Sequence, residues 1–122
     1  MRKTQNYKEL IVWQKSINLA VDVFELTKKF PISELYGITS QIRRSAFSIP
    51  SNIAEGYNRG TRGEYKKFLQ IAYGSAAELE TQLLISFKTK LLVQKDFDKL
   101  NILLLEVLKM LNRMITTLKS NF

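Results

Sequence analysis

Apolar residues recur every three or four positions along most of this chain, and no stretch alternates with the two-residue rhythm of a strand. That pattern leaves helices as the only regular structure available. Trp13, Ile17, Ala20, Val21 and Phe24 mark one face of a first helix, predicted from Tyr7 to Lys29. Val12, Leu19, Val23, Leu26 and Phe30 form a second apolar stripe beside it. Phe30-Pro31 ends this helix, because a residue before proline is pushed out of the α region. A second helix is predicted from about Leu35 to Asn58, and Thr61-x-x-Glu64 reads as a capping box opening a third. Tyr65, Leu69, Ala72, Ala76, Leu79 and Leu83 share one face of the third. Asp96 is the predicted N-cap of a fourth, whose Phe97, Leu100, Leu104, Val107, Leu111, Met114 and Leu118 make a heptad seam. Long helices with short links predict an all-α, antiparallel up-down-up-down four-helix bundle. The 122 residues predict one domain, 1–122.

The second helix contains a proline. Ile38, Ile42, Ala46, Ile49 and Ile53 keep their spacing across Pro50, which predicts one helix kinked there rather than two. Arg43, Phe47, Pro50 and Ala54 fall on the side opposite the isoleucines. An aromatic and a proline on that side read either as partial exposure at a bend or as a second buried face, hence a subunit interface. The double stripe of the first helix and the off-seam Ile102, Leu105 and Leu108 add further apolar surface beyond one core.

Composition narrows the chemistry. The chain has no histidine and no cysteine, which removes Ser-His and Cys-His dyads, thiolate ligands and the commonest metal ligand together. No catalytic, cofactor or metal site is predicted, and only a carboxylate centre is left open. The absence of cysteine suits a reducing cytoplasm. The N-terminal apolar run, Leu10 to Trp13, is too short for a signal peptide. The run Ile102 to Leu105 stops at Glu106, so no membrane span is expected.

Polar residues line the second and third helices. Gln41, Ser45, Ser48 and Asn52 run beside the isoleucines, with Arg44 and Glu55 just beyond, and Ser75, Glu78 and Gln82 run beside the third helix's core stripe. Folding the two helices about Gly60 predicts that Arg44 and Gln41 meet Glu78, that Gln41 also meets Gln82, and that Ser45 meets Ser75. Ser45, Ser48, Gly74 and Ser75 are small enough for close helix approach. Three readings stand: a structural network that satisfies buried polar groups, a catalytic carboxylate at Glu55 or Glu78, and solvated surface.

The segments "LIVWQKS" and "FPISELYGITSQIRRSAFSIPSNIAEGYNRGTRGEYKKFLQIAYGSAAELETQL" resemble the four-helix-bundle proteins encoded in 23S rRNA intervening sequences of some bacteria. The resemblance runs from roughly Leu10 to Leu92, and its IRR-x-A-x-SIPSNIAEG core and GS-x-x-EL-x-TQ segment are specific. Such proteins are similar in fold to the accessory variability determinants of diversity-generating retroelements, basic homopentamers that work with a reverse transcriptase and nucleic acid. The resemblance therefore implies a bundle assembled as a ring of five copies and no enzyme activity. It names no molecular function.

The formal net charge is +8, from 19 Lys and Arg against 11 Asp and Glu. In the predicted bundle both termini and the second loop share one end. There Arg2, Lys3, Lys8, Arg59, Arg62, Lys66, Lys67 and Lys119 outweigh Glu9, Glu55 and Glu64. Arg59, Arg62, Lys66 and Lys67 are the candidate contacts to RNA or DNA phosphates, with Tyr57 and Tyr65 beside them to stack on unpaired bases. Gly56, Gly60 and Gly63 read as helix-end and turn residues, not a phosphate loop. A basic surface kept for solubility and a scaffold that meets an unidentified acidic protein are the competing readings.

Overall fold

The computed structural model describes residues 6–120, with side chains up to Lys119. These residues form four α-helices: α1 (Ile11–Thr27), α2 (Ser40–Tyr57), α3 (Arg62–Lys88) and α4 (Gln94–Ser120). α1 packs on α2 and α4, and α3 closes the bundle between α2 and α4. Cross-links fix direction. Lys15 meets Glu106 and Lys29 meets Asp96, so α1 and α4 run antiparallel. Arg62 meets Thr117 and Phe87 stacks on Phe97, which sets α3 against α4 in the same way.

Three helix starts differ from the sequence expectation, each for a local reason. α1 begins at Ile11 rather than Tyr7, because Leu10 is extended (φ −72°, ψ 127°). Tyr7–Glu9 is a separate 3₁₀ turn, capped by the Asn6 side chain, which accepts from the Lys8 amide at 2.9 Å. The Tyr7 ring lies edge-on to Trp13 at 5.3 Å, so this turn folds back on α1. α2 begins at Ser40, after a 3₁₀ turn (Ile32–Glu34) and a π-helical turn (Leu35–Thr39) that contains non-helical Gly37 (φ −114°, ψ −115°). α4 begins before Asp96, since the Phe97 amide already bonds the Val93 carbonyl at 2.9 Å. Asp96 is therefore a buried first-turn residue that accepts from Lys29 Nζ at 3.0 Å, where the helix dipole favours an anion. α2 runs unbroken through Pro50, as the unreset apolar spacing implies.

The core is aliphatic. Leu19 and Val23 of α1, Ile42, Ile49 and Ile53 of α2, Leu69, Leu79 and Leu83 of α3, and Leu100, Leu104 and Leu111 of α4 are fully or almost fully buried. Each such side chain stabilises the fold by about 1.5–3 kcal/mol. Along α1, Val12, Leu19, Ala20 and Val23 face the core, Trp13 and Ile17 are half-buried, and Val21 and Phe24 face outward. Ser16 and Thr27 complete the inner face, because their hydroxyls return to the carbonyls of Trp13 (2.8 Å) and Val23 (2.7 Å). α3 follows its expected stripe and α4 does so as far as Leu111, after which Ile115 is buried and Met114 and Leu118 are half-buried; Tyr65 and Phe97 are half-buried at the other ends.

Candidate functional site

The loop between α2 and α3 turns at Gly60, whose φ of +87° belongs to the left-handed region that glycine tolerates. Thr61 then caps α3, its Oγ1 accepting from the Glu64 amide at 3.2 Å. The Glu64 carboxylate turns to Arg59 at 3.8 Å rather than back to the cap, and Arg59 also pairs with Glu55 at 3.0 Å. The same guanidinium lies 4.9 Å from the Phe68 ring centre. Two carboxylates thus offset the charge of Arg59. Arg62 donates to the Thr117 carbonyl at 3.3 Å, tying this loop to the last turns of α4. Arg62, Lys66 and Leu118 border a small hollow of about 70 Å³, and Lys67 is exposed nearby in sequence. Arg2 and Lys3, expected at this end, lie outside the described residues.

Tyr57 and Tyr65 pack on each other edge to face at 5.9 Å, both half-buried. Their rings are engaged within the subunit rather than offered flat to a base. Burial first, and the neighbouring Tyr57 second, hold the Tyr65 phenol pKa up at about 12. Beneath them Gly56 lies buried in the last turn of α2. A Cβ there would come within 2.6 Å of Phe68 Cβ and 3.3 Å of the Tyr65 carbonyl oxygen, so glycine lets α3 approach.

The polar seam forms with a shifted register. Ser48 and Ser75 share a hydrogen bond of 2.8 Å, and Asn52 Nδ2 donates to the carbonyl (2.8 Å) and hydroxyl (2.9 Å) of Ser48. Ser45 Oγ donates to Glu78 Oε1 at 3.4 Å. Ser45 therefore meets Glu78 rather than Ser75, most of a turn from the expected level, because the first turn of α3 overhangs the end of α2. Arg44 and Glu78 do not pair: both are exposed, and no ion pair among the described residues joins them. Gln41, Arg44, Glu78 and Gln82 instead face a cleft of about 230 Å³. Gly74 is exposed with open space around it, so it does not bring the helices together.

The outer side of α2 leans on α1. Arg43 Nε donates to Thr27 Oγ1 (2.9 Å), its Nη2 to the Phe24 carbonyl (3.3 Å), and its guanidinium lies 4.3 Å from the Phe24 ring centre. This arginine completes the C-terminal end of α1, a role that spacing within α2 could not announce. Pro50 is buried within the subunit and Ala54 is half-buried, so Phe47, 44% exposed, is the most outward of the four. Phe47 lies 6.4 Å from Phe24, itself 38% exposed, and Ile102 (66%) and Leu105 (45%) stand out on α4. Among the described residues no cluster of three or more acidic, histidine or cysteine side chains fits a metal. No helix there is long and apolar enough to cross a membrane. Glu55 is exposed and paired with Arg59, so neither it nor Glu78 sits in a water-excluded catalytic setting.

The sequence pattern of the family described as 23S rRNA-intervening sequence protein matches residues 8–113. A crystal structure of a protein of unknown function from the S23 ribosomal protein family, from Bacteroides thetaiotaomicron VPI-5482, superposes with a TM-score of 0.79. It is 30% identical, over 86% of this chain and 98% of that one. No curated protein matches this chain.

Proposed function

The chain belongs to the 23S rRNA-intervening sequence protein family, and from that premise we propose a non-enzymatic accessory protein that self-associates and holds nucleic acid, RNA or DNA, by its backbone. The contact surface in this reading is the end formed by the α2–α3 loop and the last turn of α4. The observation that carries it is the state of the cations there. Arg59 is offset by Glu55 and Glu64, whereas Arg62, Lys66, Lys67 and Lys119 have no ion-pair partner among the described residues. Cations without an ion-pair partner, three in the first two turns of α3 and one in the last turn of α4, suit phosphates and carry little preference for sequence.

Self-association adds to this reading. A ring of copies repeats the cationic end around one rim, and repetition multiplies weak contacts. The outward apolar residues of α1, α2 and α4 are the proposed contact surfaces, with five copies the number the family resemblance implies. Light scattering that returns a monomer mass at micromolar concentration would overturn this part.

Gel shifts with a 23S rRNA fragment, an unrelated RNA and a DNA of equal length test the binding. All three are expected to bind alike at low salt. Changing Arg62, Lys66, Lys67 and Lys119 together to alanine should reduce the slope of log affinity against log salt by about 3. Arg59→Ala should alter that slope far less. A parent protein that binds none of the three at low salt would leave the second reading, a protein-binding scaffold, which the exposed Ile102 and Leu105 favour.

A further inference from the structure

The cleft between α2 and α3 plays no part in the loop-end reading. Its volume of about 230 Å³ lies below the roughly 300–1,000 Å³ of pockets for drug-sized ligands, so it suits a molecule of a few heavy atoms. Ser48 and Ser75, hydrogen-bonded to each other, line it, and Asn52 holds Ser48 in place. Arg44 of α2 and Glu78 of α3 line it with opposite charges, yet no ion pair joins them. Opposite charges that share a cavity without closing on each other leave room for a molecule bearing both signs.

We propose that this cleft binds a small zwitterion of the free α-amino-acid class. The carboxylate sits on the Arg44 guanidinium, whose planar fork matches two carboxylate oxygens. The ammonium lies on the Glu78 carboxylate. Ser45, which donates to Glu78 at 3.4 Å, keeps the carboxylate turned toward the cleft.

Thermal melts of the full chain with each of the twenty common amino acids in turn test this. At ten times its dissociation constant the bound amino acid should raise the melting temperature by about 4–8 °C. Its N-acetyl and methyl-ester forms, which each lack one charge, should raise it by less than a quarter of that. Arg44→Gln and Glu78→Gln should abolish the shift while circular dichroism stays helical, and the Lys66/Lys67 double alanine variant should keep it. The proposal is overturned if no amino acid shifts the melt, or if the blocked forms shift it as far as the free one. Persistence of the shift in both cleft variants overturns it too. Should either variant fail to fold, the blocked forms give the same test on the unaltered protein. Loss of nucleic-acid binding at the loop end leaves this result untouched.

Discussion

Gly56 shows how much one absent carbon decides. Phe68 Cβ and the Tyr65 carbonyl oxygen already occupy the space a side chain would need. Gly56→Ala must push α3 away or displace Phe68, and is expected to destabilise by about 1–3 kcal/mol in a denaturant melt, although alanine is the better helix former. Tyr65 above it carries a pH signature. Its phenol loses its proton near pH 12 in the folded chain instead of near 10. Folding thus favours the neutral form, so the stability this gives is whole below pH 10 and lost as pH rises toward 12. Tyr65→Phe should flatten the fall in stability across that window, as read by urea melts at stepped pH. The sequence showed that Ser48, Ser75, Glu78 and Gln82 come together but misassigned partners within the group. Loop geometry sets the level at which antiparallel helices meet, and side-chain identity carries none of it. Arg44 and Glu78 therefore looked like a pair and are not one.

α3 ends without the glycine that helix ends usually show. The Leu91 amide bonds the Ser86 carbonyl at 2.9 Å and the Lys90 amide bonds the Phe87 carbonyl at 3.1 Å, with Lys90 at φ +68°. These are the two bonds of a Schellman cap with lysine in the left-handed position. Lys90→Gly should relieve the Cβ clash and, after the entropy glycine adds to the unfolded chain, stabilise by about 0.5–1 kcal/mol in a thermal melt. Lysine at that place gives the sequence no stop signal, which is why the end of α3 was hidden while Thr61 announced its start. The stripes of α3 and α4 were legible because their inner faces are almost wholly apolar. The inner face of α1 was harder to single out, because Ser16 and Thr27 lie inside, satisfied by their own helix, and its bulkier Phe24 faces out against Phe47 and Arg43.

At the scale of the whole molecule, a chain of this size keeps large apolar side chains on all four helices in contact with water. Phe47 is the outward residue of α2, so Phe47→Glu should lower the mass seen by light scattering while helicity is retained. An unchanged mass would move the proposed subunit contact to α4. The lone tryptophan of the chain sits half-buried under the Tyr7 ring, at the hinge where the first turn folds against α1, and its other side packs on the edge of the aliphatic core. Its emission is therefore an optical gauge of that hinge. In a slow heating ramp the fluorescence should begin to redden before the ellipticity at 222 nm begins to fall, so a melting point read from light alone would mix the fraying of a corner with the opening of the bundle.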